Sequence, residues 1–211
     1  TYAYILAKQK YDAQVRLMTV RNGLTKYRGQ FVARSDSNID SLQDIEGKII
    51  AYTDAASTSG YIYPSAILKQ RGITPKDYFF AGGHPQAILA VYSGRADVGC
   101  SYWSPPDAKG KPMDAREKLL ETYPDVFEKV KIVDYTDWIP NDTVTFRKDL
   151  PPELEGIIVQ TLYRYAQSEE GKKVLKTLYD IDGLEYASDE DYEIVRTTLK
   201  TMNMDPAELL K

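Results

Sequence analysis

The sequence predicts an α/β fold with two lobes, and three observations lead to this class. From residue 48 onward, extended apolar segments alternate with helical ones, which is typical of a parallel sheet with crossover helices. Extended segments also lie on both sides of this stretch, so we expect the chain to leave one lobe, build a second and return. The 211 residues, of which 43% are hydrophobic, suit one large domain or two small lobes. Two lobes joined by paired crossings form a hinge with a cleft between them.

Residues 1–47 are assigned to the first lobe, together with a crossing strand. Asn22 and Gly23 favour a turn between two extended runs, and Ser41 and Asp44 have the spacing of a capping box at the start of a short helix. The predicted elements are a helix at Tyr2–Tyr11, strands at 15–21 and 29–34, and a short helix at 41–47.

Residues 48–135 are assigned to the second, inserted lobe. Pro85 and Gly94 stand where proline and glycine usually mark the start and end of a helix, and Pro64 is expected to kink the helix that contains it. The predicted order is strand 49–53, helix 60–71, strand 78–81, helix 85–92 and strand 96–102, then a loop at 104–110, a charged surface helix at 114–123 and an extended segment at 130–135.

Residues 136–211 are assigned to the return crossing and to helices of the first lobe. An extended segment is predicted at Thr143–Phe146, and the remainder is predicted to be helical. The segment 151–167 places its apolar side chains on one face, as an amphipathic helix does. Further helices are predicted at 171–179 and 188–199, with a last short helix capped by Asp205-Pro206.

Composition and charge exclude several classes of function. The net charge of −4 without a basic stripe argues against nucleic acid as a partner, and the longest apolar runs are too short to span a membrane. Cys100 and His84 are the only cysteine and histidine, so we expect no disulfide framework, no metal site and no Cys–His nucleophilic pair. No cofactor is expected. Because the chain begins at Thr1 without an apolar leader, we interpret it as a processed form or a fragment.

The most informative motif is a run of three hydroxyl residues and a glycine between strand 49–53 and the next helix: Ser57, Thr58, Ser59 and Gly60. We call residues 57–60 the hydroxyl turn. The first N–H groups of a helix have no intrahelical acceptor and carry partial positive charge, while serine and threonine add donors and glycine permits close approach. This predicts an oxyanion receptor without any basic residue. The alternative is that one hydroxyl only caps the helix.

Two further segments are expected at the same sheet edge, since ligands of open α/β sheets bind outside the carboxyl ends of the strands. Gly82, Gly83 and His84 follow strand 78–81, and Tyr102 ends strand 96–102. The glycines allow close backbone approach, and an imidazole nitrogen of His84 can donate to a bound anion. The alternative is that His84 merely caps its helix.

Asp142 follows Pro140 and Asn141 at the second crossing, near the predicted hinge. A carboxylate that faces a dianion repels it, so a ligand role requires one of two partners. Asp142 would accept a hydrogen bond from a protonated P–OH group or pair with a ligand amine. Turn chemistry after proline explains the same residues equally well.

A serine hydrolase built from Ser57 or Ser59, His84 and a carboxylate is the enzymatic alternative. The order of these residues and their strand–turn–helix context permit it. The spacing of a G-x-S-x-G elbow is missing, because Ser57 stands where glycine is required. A nucleophile also has no need of three adjacent hydroxyls.

These motifs make the sequence similar to the PhnD-like phosphate, phosphite and phosphonate substrate-binding proteins of ABC transporters, a branch of the type 2 periplasmic-binding fold. The similarity is spread over the chain, and its specific part is Ser57-Thr58-Ser59-Gly60-Tyr61 followed by Gly82-Gly83-His84. The other matching segments are Arg21-Asn22-Gly23, Tyr27-Arg28-Gly29, Ser41-Leu42-x-Asp44-x-x-Gly47-Lys48, Ala96-Asp97-Val98-Gly99 and Ile139-Pro140-Asn141-Asp142.

The resemblance implies two lobes, each a mixed or parallel sheet with flanking helices. It implies a non-enzymatic protein that captures a small phosphorus oxyanion in the cleft between the lobes and delivers it to the permease subunits of an ABC importer. The implied location is periplasmic or extracellular, either soluble or lipid-anchored. By the same resemblance the phosphoryl oxygens are held by Ser57, Thr58, Ser59 and His84, another ligand group is held by Asp142, and the cleft is lined by Tyr2 or Tyr4.

The sequence departs from this family in two places. The family's opening β-α-β-α-β stretch has no counterpart, so the first lobe is expected to lack part of its sheet. Tyr102-Trp103-Ser104-Pro105 stands where some relatives have an acidic residue for a ligand amine, which weakens the case for an aminoalkyl ligand. The alternative function is a sensory ectodomain of the same fold that signals through a receptor.

Overall fold

The computed structural model describes residues 1–107 and 109–201. These residues form two compact units. The first unit consists of Thr1–Tyr27 and Ile139–Thr197, and the second of Arg28–Trp138 and residues 198–201. The chain therefore leaves the first unit, builds the second and returns. The predicted inserted lobe, 48–135, lies inside the second unit, and its bounds stay a prediction.

Hydrogen bonding of the backbone defines the secondary structure of the described residues. The strands are β1 (Gln14–Val20), β2 (Lys26–Arg34), β3 (Ile49–Tyr52), β4 (Asp77–Phe80), β5 (Val98–Trp103), β6 (Val130–Pro140), β7 (Thr143–Phe146) and β8 (Gly183–Tyr186). The α-helices are α1 (Tyr2–Tyr11), α2 (Tyr63–Gln70), α3 (His84–Tyr92), α4 (Val126–Lys129), α5 (Pro152–Gln167), α6 (Glu169–Tyr179) and α7 (Glu193–Thr201). A π-helical turn occupies Thr58–Ile62, and 3₁₀ segments occupy Leu42–Ile45, Ala115–Leu119 and Asp189–Tyr192.

The second unit is built around a five-stranded sheet in the order β4-β3-β5-β2-β6. Strand β3 pairs in parallel with β4 and β5, and β2 runs antiparallel to β5. Successive residues of β3 point to opposite faces, so Ile50 packs in one apolar cluster with Leu68 of α2, and Ala51 in another with Ile88 of α3. Helices thus cover both faces of the sheet, which confirms the predicted α/β class.

The first unit contains a three-stranded sheet in the order β7-β1-β8. Strand β1 is antiparallel to both neighbours, a detail that differs from the mixed or parallel sheet expected for this lobe. Leu17 of β1, Val159 of α5 and Leu184 of β8 are buried together in its core. Strand β8 was expected to be helical. It forms because Asp180, in the left-handed conformation, ends α6 and the chain turns back along β1.

Two helices of the second unit differ from their predicted form. The helix expected at 60–71 begins as the π-helical turn Thr58–Ile62 and becomes α-helical at Tyr63. The segment expected as a surface helix at 114–123 is the 3₁₀ segment Ala115–Leu119, in which Arg116 is buried and ion-paired with Asp114. A buried charge pair fixes this segment against the sheet. The predicted helix start at Asp205 lies outside the described residues.

The described residues include neither a membrane-spanning helix nor a cluster of metal-ligating side chains, and their single thiol is buried. No helix in residues 1–107 and 109–201 combines the length and apolar character that a membrane span requires. The same residues contain no group of three or more His, Cys, Asp or Glu side chains able to hold a metal ion. Cys100 is a free thiol, and burial raises its pKa well above the usual value, as expected for an unreactive core residue.

Gly60 is expected to tolerate no side chain, which provides a test of how tightly the hydroxyl turn is packed. A Cβ atom at this position would lie 2.0 Å from Oγ1 of Thr53, a residue with no exposed surface. We predict that Gly60→Ala lowers the free energy of unfolding by about 1–3 kcal/mol, measured by urea denaturation. Gly156→Ala in α5 is the control, because its Cβ would meet nothing within 4 Å and alanine favours a helix. Equal midpoints for Gly60→Ala and wild type would contradict this packing.

Candidate functional site

One edge of the five-stranded sheet brings together the segments that carry the predicted chemistry of the second unit. Because β3 is parallel to β4 and β5, the carboxyl ends of these three strands lie at the same edge. The hydroxyl turn follows β3, and His84 follows β4 and begins α3. Tyr102 lies near the end of β5. The prediction that these segments share an edge therefore agrees with the strand pairing.

The hydroxyl turn is held in shape by its own hydrogen bonds. The Oγ atom of Ser57 accepts the N–H of Gly60 at 3.0 Å, and the Ser57 carbonyl accepts the N–H groups of Tyr61 and Ile62. Ser57 is thus a helix cap, as the alternative interpretation expected, and capping occupies one acceptor position of its hydroxyl oxygen. The Ser57 hydroxyl still carries a hydrogen that it can donate, because capping uses the oxygen only as an acceptor.

The turn is also packed firmly against the sheet. Thr58 is 5% and Ser59 2% exposed, whereas Ser57 is partly exposed. A Cβ atom on Gly29 would lie 2.6 Å from the Ser59 carbonyl oxygen, so β2 approaches the turn closely enough to require glycine. The hydroxyl groups of the turn therefore sit on a rigid backbone that has already lost most of its contact with water.

His84 is oriented by a backbone donor. Its Nδ1 atom accepts the N–H of Tyr102 at 3.2 Å, and the two rings meet edge to face with centres 4.9 Å apart. Burial lowers the pKa of His84 to about 4, although the nearby Asp54 carboxylate raises it in part. The imidazole is therefore neutral at pH 7, with its hydrogen on Nε2, since Nδ1 is an acceptor. His84 is a fixed, uncharged donor.

The backbone around His84 suits an anion as well. Gly82 has a φ of 91°, which a residue with a side chain rarely adopts, and this bend leads the chain into α3. The first N–H groups of α3 belong to the helix end where partial positive charge accumulates. Pro85, directly after His84, supplies no N–H and fixes the helical φ. The glycine bend and the helix start thus place partial positive charge next to His84, and both also follow from the local requirements of starting a helix.

Two of the predicted ligand residues of the first unit, Asp142 and Tyr4, have partners within that unit. Asp142 has an exposed carboxylate that lies 3.5 Å from Nη2 of Arg21. Tyr2 and Tyr4 are buried, and the Tyr4 hydroxyl donates to Asp189. Burial and that bond raise the pKa of Tyr4 well above its usual value. These contacts give Tyr4 a structural role, and ligand roles for all three residues stay predictions.

Sequence reasoning missed two groups of residues at this sheet edge. Asp54 precedes the hydroxyl turn, and its carboxylate accepts the Ala56 N–H at 3.0 Å. The negative charge of Asp54 also raises the pKa of His84, against the larger effect of burial. An Asp two residues before a backbone donor is a recognisable turn signal. The second group surrounds Arg28 and is described below. It joins β2, β5 and β6. The segments Tyr27-Arg28-Gly29 and Tyr102-Trp103 were noted in the sequence, but no local pattern shows that Arg28 and the three aromatic rings come together.

A family model matches residues 1–192 of the chain, and its description is ABC transporter, phosphonate, periplasmic substrate-binding protein. The phosphonates-binding periplasmic protein of Escherichia coli is 26% identical over 180 residues, which are 82% of this chain and 50% of that protein. The phosphate-import protein PhnD of Mycolicibacterium smegmatis is 31% identical over 115 residues, 48% of this chain and 36% of that protein. The chain thus spans about half the length, or less, of these relatives.

Solved structures of similar fold cover nearly the whole chain. A binding-protein component of a phosphonate ABC transporter from Pseudomonas aeruginosa has a TM-score of 0.74 at 23% identity, over 95% of this chain and 66% of that one. PhnD1 from Prochlorococcus marinus, in complex with methylphosphonate, has a TM-score of 0.71 at 17% identity, over 96% of this chain and 76% of that one. At these identities the likeness establishes the fold, which is the predicted periplasmic-binding type.

The single histidine allows the electrostatics of the site to be tested directly. We predict that the His84 imidazole titrates near pH 4 in the folded protein, as measured by NMR, because burial disfavours its charged form. The unfolded chain then binds more protons below pH 6.5, so stability falls as the pH drops from about 6.5 towards 4. Between pH 7.5 and 5 this contributes about 2 kcal/mol, which His84→Gln removes from the measured pH dependence. A folded-state value near 6.5 would refute the burial of this ring.

Proposed function

The chain belongs to the family of periplasmic substrate-binding proteins of phosphonate ABC transporters, and from this premise we propose that it captures a small phosphorus oxyanion. The receptor is the sheet edge that carries the hydroxyl turn and His84. The ligand is a phosphonate, phosphite or phosphate, and the captured anion is delivered to the permease subunits of an importer. The protein then works in the periplasm or outside the cell, without catalysing a reaction.

The observation that supports this proposal best is the hydrogen bond from the Tyr102 N–H to Nδ1 of His84. It leaves Nε2–H as a donor whose direction is fixed before any ligand arrives. The hydroxyl turn adds donors at the neighbouring strand end, and the α3 start adds partial positive charge. Hydrogen bonds from fixed neutral donors to a charged oxygen are short and strong, so an anion is bound without a neutralising base.

The known ligands of related proteins agree with this chemistry but do not select one anion. The relatives are described as importing phosphate or binding phosphonates, and the Prochlorococcus protein holds methylphosphonate. All of these ligands share a tetrahedral phosphorus with several anionic oxygens. The chain spans about half the length, or less, of its curated relatives, so transport by the whole protein is part of the proposal.

The site geometry does not favour the hydrolase alternative. In the described part of the chain, no hydrogen bond joins His84 to a hydroxyl of the turn, and the Ser57 oxygen accepts the Gly60 N–H instead. A histidine with a pKa of about 4 is also a poor base at neutral pH. We therefore assign His84 to binding, and we expect no turnover of activated phosphate or acyl esters.

Ser57→Ala is expected to weaken the binding of methylphosphonate, phosphate or phosphite, whichever binds most tightly, by about 1–3 kcal/mol, because a charged oxygen loses a donor. Isothermal titration calorimetry measures the change. Ser168→Ala is the matched control, since Ser168 Oγ accepts the N–H of Gly171 at 3.0 Å, the same capping bond as in the hydroxyl turn. Both variants lose a helix cap, but only Ser57→Ala is expected to change affinity.

Thr58→Ala tests the middle hydroxyl in the same titrations, with an expected loss of about 1–3 kcal/mol. Wild-type protein that binds none of the three anions would refute the proposed function. Unchanged affinity in both Ser57→Ala and Thr58→Ala would show that the receptor lies elsewhere, even if an anion binds.

A further inference from the structure

The second unit contains an arginine that is fixed in place but not neutralised. Arg28 donates from Nε to the carbonyl oxygen of Thr136 at 2.6 Å, and its guanidinium carbon lies 5.3 Å from the ring centres of both Tyr135 and Trp138. The ring of Trp103 packs beside them, with its centre 4.6 Å from that of Tyr135 and 6.4 Å from that of Trp138. We call Arg28, Trp103, Tyr135 and Trp138 the arginine–aromatic cluster.

The remaining donors of Arg28 have no partner in the described part of the chain. Nε makes the one hydrogen bond of this side chain there, and no carboxylate forms an ion pair with it. Arg116 provides the comparison within the same unit. It also stacks on a ring, 4.7 Å from the centre of Phe127, but it pairs with Asp114 and donates to the Val130 carbonyl. The purely structural arginine is bonded to an acid, whereas Arg28 keeps both Nη groups available.

The cluster lies beside the proposed phosphoryl receptor. In the register of β2 and β5, Arg28 faces Trp103 and Gly29 faces Tyr102. Tyr102 donates its N–H to His84, and Gly29 lies against the Ser59 carbonyl. Arg28 and Trp103 are therefore each one residue along the strand from residues that contact the receptor. The cluster and the receptor therefore share the sheet edge at the carboxyl end of β5.

We propose that Arg28 binds a second anionic group of the ligand, and that the substrate class is phosphonates carrying a carboxylate on a short carbon chain. This inference rests on the proposed function. A guanidinium with two unused Nη groups matches a planar carboxylate through parallel hydrogen bonds, which an ammonium cannot make. The neighbouring rings hold the guanidinium and pack against the carbon chain of the ligand. An aminoalkyl group at the same position meets a like charge.

Calorimetric titration of the whole chain tests the substrate class. The probes are phosphonoacetate and 3-phosphonopropionate, with methylphosphonate and 2-aminoethylphosphonate as uncarboxylated references. We expect wild-type protein to bind one of the carboxylated probes about tenfold or more tightly than either reference. Arg28→Gln and Arg28→Lys are expected to remove most of this preference and to change methylphosphonate affinity less than about threefold. Arg95→Gln is the control, because Arg95 also lies over a ring, 4.4 Å from the centre of Phe79.

Tryptophan fluorescence gives a second readout confined to the cluster, because Trp103 and Trp138 are the only tryptophans of the chain. The carboxylated probe is expected to change their emission in wild type but not in Arg28→Gln, whose folding is checked by its thermal unfolding midpoint. Wild-type protein that binds methylphosphonate but shows no preference for a carboxylate would overturn this inference alone. An equal loss of affinity for carboxylated and uncarboxylated probes in Arg28→Gln would also overturn this inference alone. Failure to bind any phosphorus anion would overturn the proposed function as well.

Discussion

The parallel pairing of β3 with both β4 and β5 is the constraint on which the candidate site depends. Tyr52 of β3 pairs with Phe80 of β4, and Ala51 of β3 pairs with Gly99 of β5. In this register the three strands end at one edge of the sheet, although the strands are distant in sequence. A slip of one residue would turn each buried side chain of β3 to the opposite face. Since Ile50 and Ala51 are both fully buried, on opposite faces, such a slip is strongly disfavoured. The apolar core thereby fixes where the polar loops lie.

The anion receptor proposed at this edge relies on the position of its donors rather than on charge. In the hydroxyl turn Thr58 and Ser59 are buried and Ser57 is partly exposed. The imidazole of His84 is neutral at pH 7, and the chain carries a net charge of −4. Donors that are already desolvated and rigid lose little entropy and little hydration when an anion replaces water. The nearby Asp54 carboxylate acts to raise the pKa of His84, but burial has the larger effect, so the pKa is lowered overall. The imidazole of His84 therefore stays neutral at pH 7, where phosphorus oxyanions are charged.

Local patterns in the sequence predict much of this architecture. The bounds of α1, Tyr2–Tyr11, are confirmed, and so is the capping box formed by Ser41 and Asp44. Such features depend on residues within four positions of one another, which is the range that periodicity and capping rules describe. The strand β8 was missed because four residues give too short a pattern, and its pairing with β1 decides its conformation. The buried pair of Asp114 and Arg116 was likewise read as surface charge, since burial depends on distant segments.

The same limit separates the two parts of the candidate site. Three hydroxyls and a glycine between a strand and a helix are adjacent in sequence, so their chemistry can be predicted from the order of residues alone. The proposed role of Arg28 depends on Trp103, Tyr135 and Trp138, which the sheet brings close to it from two other strands. Neutral donors alone bind a phosphoryl group in much the same way whatever substituent it carries. Discrimination between ligands therefore needs a group beyond them. A fixed cation that has no carboxylate partner in the described part of the chain is suited to that role, because it can form its ion pair with the ligand.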